Sequence, residues 1–405
     1  MTVTVITAVL VFTLIILVLV LLLNYANAKL VQPGPFTVDV NSGKKTIQTG
    51  AGKTVLQTLT DEGLFLPAAC GGSGTCGMCK CKITEGAGDV LPTEDTFLSR
   101  AERKSNMRMA CQVKVRNDLK MELPEAIFGI RKYEVKVKAV KQVAAFMKDI
   151  EFEVPDEFQF VPGQYIQIDI PAYSSIAFKD LVVPEEYKEV WDRYKLSGLV
   201  AKNPVETVRG YSIASSPHEK GIVMIRVRLA TPPNKPGIPP GIGSSWIFNL
   251  KAGDDAVLSG PFGEEFCLKD TDREMCFIAS GAGLGPMRGH IYYLFHALGT
   301  KRKVTFWYGA RSVKECCWSD NFPVISRDFD NFDYHISLSR PREEDKWDGF
   351  TGHIHKVVAK EYLEKHRDPG NIEYYLCGPT PMMQSTLKML YDLGVEQEMI
   401  AFDEF

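Results

Sequence analysis

At 405 residues the chain has room for two to four domains. Its 45% hydrophobic and 24% charged residues are those of a globular protein, and a net charge of −3 offers no basic surface for nucleic acid. Ten cysteines are too few for a disulfide scaffold at this length. Four of them, Cys70, Cys76, Cys79 and Cys81, stand close together, which suggests metal binding rather than bridging.

From Val3 to Leu23 every residue is apolar or Thr, and no charged side chain precedes Lys29. As a helix those 21 residues span roughly 32 Å at about 1.5 Å each, enough for a bilayer core of about 30 Å. Ala26-Asn27-Ala28 also reads as the cleavage site of a secretory signal. The run is longer than a signal's core of about 7–15 residues, and no Lys or Arg precedes it. Residues 3–24 are therefore read as a transmembrane anchor, and Lys29, Lys44 and Lys45 after it predict cytoplasmic soluble domains.

Beyond a Pro/Gly linker at residues 31–35, Thr37-Val38-Asp39-Val40 and Lys45-Thr46-Ile47 alternate like strands around the turn Asn41-Ser42-Gly43-Lys44. Val55, Leu56 and Leu59 have helical spacing, closed by Gly63. Residues 32–128 thus form a compact α+β unit around a cysteine loop. That loop reads Cys70-x5-Cys76-x2-Cys79, with Cys111 further on in Met109-Ala110-Cys111-Gln112. Four thiolates satisfy two tetrahedral irons bridged by sulfides, and the loop glycines let backbone N–H groups turn toward sulfur. Structural zinc is the competing reading, but a zinc ribbon offers two C-x2-C knuckles and only one is present. Cys81, two residues from Cys79 on a strand, is not excluded by spacing; Cys79 is favoured because Cys76-Gly77-Met78-Cys79 completes a ferredoxin motif. The five-residue first spacing resembles the adrenodoxin branch of [2Fe–2S] ferredoxins.

Residues 131–268 read as a small β-barrel. Tyr133 to Val140, Tyr165 to Ile170 and Gly221 to Leu229 alternate strictly. Residues 172–208 interrupt the pattern and are read as an insertion on the surface. From Arg273 the rhythm becomes strand, glycine turn, helix, so residues 273–405 predict a parallel α/β sheet.

Four motifs carry chemistry here. In Arg209-Gly210-Tyr211-Ser212 an Arg can neutralise a pyrophosphate, a Tyr can cover a flat ring and a Ser hydroxyl can meet a flavin N5 edge. Gly241-Ile242-Gly243-Ser244-Ser245 at an apparent helix start can present N–H groups and hydroxyls to phosphate. Gly281-Ala282-Gly283-Leu284-Gly285-Pro286 follows a strand and opens a helix, as a pyrophosphate turn should. Cys377-Gly378-Pro379 follows a later strand at the edge where ligands collect, and Phe405 is the last residue.

Through R-x-Y-S, the glycine turn ending in Pro, C-G-P and the terminal aromatic, residues 131–405 resemble the ferredoxin–NADP⁺ reductase superfamily. With the cysteine domain and apolar helix in front, nearly the whole chain resembles the F subunits of Na⁺-translocating NADH:quinone oxidoreductases. The resemblance implies a multidomain α+β and α/β fold: a transmembrane helix, a β-grasp [2Fe–2S] ferredoxin-like domain, an antiparallel β-barrel FAD domain and a doubly wound parallel-sheet NADH domain. It implies an NADH dehydrogenase that passes hydride to FAD and single electrons to its [2Fe–2S] cluster, bound by Cys70, Cys76, Cys79 and Cys111. FAD would lie against Arg209, Tyr211 and Ser212, with Gly243, Ser244 and Ser245 near its phosphates. NADH would lie across Gly281, Gly283 and Gly285, its nicotinamide near Cys377, with Phe405 covering the flavin until displaced. Ser212, Cys377 and Phe405 are the expected catalytic positions. Implied partners are other subunits of a bacterial inner-membrane complex, with quinone reached indirectly. The alternative is a membrane-anchored reductase component of a multicomponent oxygenase, which shares the soluble modules.

Overall fold

The computed structural model describes residues 2–30, 34–232, 237–318 and 322–404. Residues 31–33 of the expected linker and Phe405, the expected flavin cover, lie outside the described residues. The chain divides into two compact units, Met1–Ile130 and Arg131–Phe405.

The first unit opens with helix α1 (Thr2–Leu30). Its stretch Val5–Leu22 is long and apolar enough to cross a membrane, and none of that stretch is buried by protein. Apolar on every side, such a helix has no stripe to lay on a core.

A five-stranded mixed sheet follows, ordered β2-β1-β5-β3-β4. Its strands are β1 (Phe36–Val40), β2 (Lys45–Thr49), β3 (Lys80–Glu85), β4 (Met107–Met109) and β5 (Leu119–Glu122). The β1–β2 hairpin turns through Asn41 and Ser42 at positive φ, β5 runs parallel to β1, and β3 runs antiparallel to β5. Helix α2 (Val55–Asp61) lies over this grasp. It starts where it does because Thr54 and Gln57 cap one another: Thr54 Oγ1 accepts from Gln57 N–H at 3.1 Å, and Gln57 Oε1 accepts from Thr54 N–H at 3.1 Å. Its buried Val55 and Leu59 pack with Val38, Val40, Leu119 and Met121. Short helices α3 (Pro92–Asp95) and α4 (Arg100–Lys104) fill the connection to β4.

The second unit begins with a six-stranded antiparallel sheet, ordered β11-β8-β13-β6-β7-β12. Its strands are β6 (Arg131–Ala144), β7 (Met147–Glu153), β8 (Tyr165–Ile170), β11 (Thr207–Ser212), β12 (Ile222–Arg228) and β13 (Asp255–Phe262). A bridge from Ile213 to Ile225 joins the two edge strands, so the sheet closes as a barrel around Ile150, Ile166, Ile168, Ile225 and Leu258. Helix α6 (Ile242–Asn249) covers one end, after helix α5 (Glu185–Arg193) earlier in the chain.

The insertion packs one face against the barrel and exposes the other. It folds as the hairpin β9 (Tyr173–Ala177) and β10 (Val200–Asn203) with α5 between them. Phe178, Leu181, Val190, Trp191 and Leu196 are buried there against Phe146, Leu229 and Phe248 of the barrel. Trp191 Nε1 donates to Ala145 O at 2.6 Å. Thr207 and Val208, assigned to the insertion from sequence, belong to β11.

The remaining residues form a parallel sheet ordered β17-β16-β15-β14-β18-β19. The strands are β14 (Met275–Ser280), β15 (Val304–Ala310), β16 (Phe332–Leu338), β17 (Phe350–Thr351), β18 (Glu373–Gly378) and β19 (Ile400–Glu404). Helices α7 (Leu284–Tyr292), α8 (Phe322–Asp328), α9 (Ile354–Glu361) and α10 (Thr380–Asp392) connect them. The chain moves outward from β14 through β15 to β17, then returns to β18 on the other side of β14. That reversal opens a crevice beyond the carboxyl ends of β14 and β18.

Candidate functional site

The cysteines of the first unit meet in two pairs. Cys76 Sγ is 3.3 Å from Cys70 Sγ, and Cys79 contacts Cys111. Among the described residues no three metal-ligating side chains converge on one point. Two irons need one sulfur pair each, and sulfurs sharing a tetrahedral metal at about 2.3 Å lie about 3.8 Å apart, so the paired arrangement fits a two-iron cluster. Within each pair the hydrogen bond from the partner lowers one thiol, Cys70 beside Cys76 and Cys111 beside Cys79. The N–H groups of Thr75 and Cys76 also aim at Cys70. The loop is tight: a Cβ on Gly77, whose φ is +69°, would stand 2.6 Å from the Phe97 ring. Cys81 sits on β3 opposite Arg108, and burial pushes its thiol up to about 12.

Sequence reading missed the device that brings the distant Cys111 to the loop. Arg108 is 4% exposed and Glu94 0%. Arg108 Nη2 donates to Glu94 Oε2 at 2.7 Å, and its guanidinium also reaches the carbonyls of Ala87, Gly88 and Asp89. Glu94 Oε1 accepts from Met109 N–H at 2.8 Å, and Ala110 N–H donates to Cys79 O at 2.9 Å. Burial raises the Glu94 carboxyl, but the bonds from Arg108, Leu91 and Met109 outweigh it and leave it lowered. That stabilisation is present above the ordinary carboxyl value near 4.3 and is lost as pH falls through the lower folded value. Glu94→Gln strands the guanidinium, and chemical denaturation of the full chain is expected to show a loss of about 3–5 kcal/mol.

In the second unit, β11 carries Arg209, Tyr211 and Ser212. Gly243 of α6 lies against two of them: a Cβ there would meet Arg209 Cγ at 2.8 Å and Tyr211 Oη at 3.4 Å. Ser244 Oγ is committed to the backbone, donating to Gly241 O at 3.2 Å and accepting from Ala230 N–H at 3.1 Å. Ser245 Oγ is buried without a hydrogen-bond partner among the described residues. An orphaned hydroxyl at a helix N-terminus beside an arginine suits a bound phosphate, so these residues fit the FAD pyrophosphate.

Of the three glycines of this turn only Gly283 lies against Cys377; Gly285 packs on the barrel, where a Cβ would stand 3.1 Å from Arg226 Cβ, and Gly281 has open space at its Cβ position. A Cβ on Gly283 would stand 2.2 Å from Cys377 O, so only glycine allows this approach. The 3₁₀ turn ends at Gly283 and α7 begins at Leu284, within the segment expected to be turn.

The last strand was not foreseen from sequence. It sets Asp403 opposite Cys377, and Ser212 Oγ–H donates to Asp403 Oδ2. Burial raises the Asp403 carboxyl despite that donation. Burial likewise raises Cys377, with Asp403 adding to it.

A second group also escaped the sequence. A cavity of about 300 Å³ beyond β14 and β15 is lined by Arg228, Gly281, Arg311, Glu315 and Pro379 among others. Burial lowers the Arg228 guanidinium, and repulsion from Arg311 adds to it; Arg311 is 3.7 Å from Glu315. Two neighbouring cations with one carboxylate suit a dinucleotide's phosphates.

Residues 38–116 match the family of 2Fe-2S iron-sulfur cluster binding domains, and residues 277–388 match the oxidoreductase NAD-binding domain. The chain is 47% identical over 397 residues to a Neisseria meningitidis protein named as the F subunit of a Na(+)-translocating NADH-quinone reductase, covering 97% of each. Proteins of that name from Pasteurella multocida, at 47% with 97% of each covered, and Klebsiella pneumoniae, at 46% with 99% of each covered, are equally similar. The chain belongs to this F-subunit family. Among solved structures, the ferredoxin reductase in carbazole 1,9a-dioxygenase superposes with a TM-score of 0.60 at 26% identity, covering 91% of this chain and 98% of that one. An Amycolatopsis cytochrome P450 reductase shares the fold at a TM-score of 0.63 and 23% identity, with 91% and 98% covered. This chain thus carries an iron–sulfur domain and a ferredoxin-reductase-like module with an NAD-binding domain.

Proposed function

We propose that this chain is the electron-input subunit of a sodium-translocating NADH:quinone reductase, taking electrons from NADH through FAD to its own [2Fe–2S] cluster and on to partner subunits. The observation that carries this reading is the meeting of Ser212, Asp403 and Cys377 at the sheet's switch point, on a chain that also pairs four cysteines. Cys70 with Cys76 and Cys79 with Cys111 are the proposed cluster ligands. Bound FAD accepts electrons as a hydride pair and releases them singly, as a one-electron cluster requires.

The chain's residues do the rest by placement. Arg209 and the α6 N-terminus with Ser245 hold the flavin's phosphates. Arg228 and Arg311 hold those of NADH. Cys377, fully buried at the end of β18, is proposed to bound the nicotinamide's place with a small, uncharged side chain, and Ser212 to present its hydroxyl at the flavin edge. No general base is needed for hydride transfer. Phe405 is proposed to cover the flavin ring, and residues 3–24 to anchor the chain as a single pass with its soluble units in the cytoplasm. Sodium moves elsewhere in the complex, since a lone uncharged helix offers no ion path.

The oxygenase-reductase alternative shares the fold with the carbazole enzyme but only 26% identity, against 47% to the F-subunit relatives. Quantifying flavin, iron and acid-labile sulfide per chain, with NADH bleaching both chromophores, tests the proposal; absence of either chromophore overturns it. Arg311→Leu is expected to raise the KM for NADH about tenfold or more with kcat little changed, because it removes a charged hydrogen bond made equally to substrate and transition state.

A further inference from the structure

A second cavity, of about 330 Å³, opens between the barrel and the insertion, away from the residues assigned to FAD and NADH. Its lining is largely apolar, with Val140, Val182, Pro184, Phe248 and Leu250, and includes Lys148 and Gln142. Lys148 is only 5% exposed. Its ammonium donates to Phe248 O at 2.8 Å and lies 4.4 Å from the Phe248 ring centroid. No carboxylate pairs with it among the described residues, whereas its neighbour Asp149 is held bidentately by Arg226 at 2.7 and 2.8 Å. One carbonyl uses one of three N–H donors, and a buried ammonium without a counter-charge is costly.

Gln142 stands directly across the β6–β7 ladder from Lys148, so the two side chains share a face. Its Nε2 donates to Ala144 O at 3.3 Å and Ala145 O at 3.2 Å, which fixes the amide's orientation. Its Oε1 is buried and accepts nothing among the described residues. A cation with no counter-charge and spare N–H donors therefore shares the lining of a cavity large enough for a small ligand with an acceptor that has no partner among the described residues.

We propose that this cavity binds a small hydroxy acid with an apolar body, its carboxylate on Lys148, its adjacent O–H on Gln142 Oε1, and its hydrocarbon part against Phe248 and Leu250. The insertion supplies Val182 and Pro184 to the wall, which gives that segment a role beyond covering the barrel. Asp180 and Lys251 are the other charged residues lining the cavity; both are exposed and of opposite sign, leaving Lys148 as the buried charge. Burial alone pushes the Lys148 ammonium down to about 8, so the site holds its charge at neutral pH and loses it in mild alkali.

The test is a ¹⁹F NMR titration of FAD-loaded full-length protein in detergent with 4-fluoromandelate, whose carboxylate and hydroxyl are adjacent. It is expected to bind, with affinity falling about tenfold or more in Lys148→Met. The neutral 4-fluoromandelamide should bind more weakly than the acid. In the unaltered protein, binding of the acid should weaken as pH rises through about 8 while the probe's own charge is constant. If Lys148→Met does not fold, that pH dependence and the acid–amide comparison still decide. No binding, equal binding of acid and amide, or equal binding by a folded Lys148→Met overturns the proposal, and leaves Lys148 as a cap on the carboxyl end of α6 alone.

Discussion

Replacing Cys111 with alanine is expected to empty the protein of iron and acid-labile sulfide while the flavin is still reduced by NADH. Cys111 pairs with Cys79, so its loss leaves one of two irons with a single thiolate. Three of four thiolates do not hold a bridged cluster, because the sulfides join both irons and one iron is left half-ligated. The hydride centre lies in the other compact unit, Arg131–Phe405, so its chemistry does not depend on the cluster's folding energy. The measurement is metal and sulfide content beside stopped-flow bleaching of the flavin by NADH. Cys81→Ser is the discriminating control, since Cys81 is a high-pKa thiol buried opposite Arg108. Retention of the cluster in Cys111→Ala, or its loss in Cys81→Ser alone, would show that the pairing has been misassigned.

The β1–β2 hairpin, α2, strands β6, β8 and β12 of the barrel and strands β14, β15, β16 and β18 of the last sheet were legible because each announces itself locally, by alternation, turn residues, helical spacing or an apolar run. The insertion was not. Helix α5 shows Glu185, Glu186, Lys188, Glu189, Asp192 and Arg193 to the solvent and buries only Val190 and Trp191, so its polar face dominates the reading. Strand β19 was hidden for another reason. It pairs only with β18, at the sheet's edge, and Asp403 on it reads as an ordinary surface acid until the fold sets it beside Ser212. The same limit hid Glu94 with Arg108, and Arg228 with Arg311: each is a charge whose meaning is its distant neighbour. Among the residues read from motifs, Ser244 is the one whose hydroxyl the backbone already uses, so of the two serines Ser245 is the stronger phosphate donor.

Ser212→Ala is expected to slow NADH-to-flavin hydride transfer by about 10²-fold, the usual consequence of deleting one placed hydrogen-bond donor. The size and pH dependence of that loss depend on Asp403, a positioning residue acting through the serine. With Asp403 ionised, the Ser212 hydroxyl proton is drawn to Oδ2 and the serine offers the flavin edge only lone pairs. With Asp403 protonated, the carboxyl can donate to Ser212 Oγ, and the serine proton is free to point at the flavin. Because burial raises the folded pKa of Asp403, the protonated form persists above the ordinary aspartate range near 3.9. Two consequences share one sign. The single-turnover rate in the unaltered protein should fall as pH rises through the folded pKa of Asp403. Stability contributed by this group is complete below the unfolded pKa and is lost as pH rises through the folded one. Asp403→Asn keeps a neutral partner for Ser212 at every pH, so it should flatten that limb of the rate profile and remove that pH-dependent loss of stability. If the rate in Asp403→Asn follows pH as it does in the unaltered protein, the carboxyl does not govern the serine, and the contact between them is packing alone.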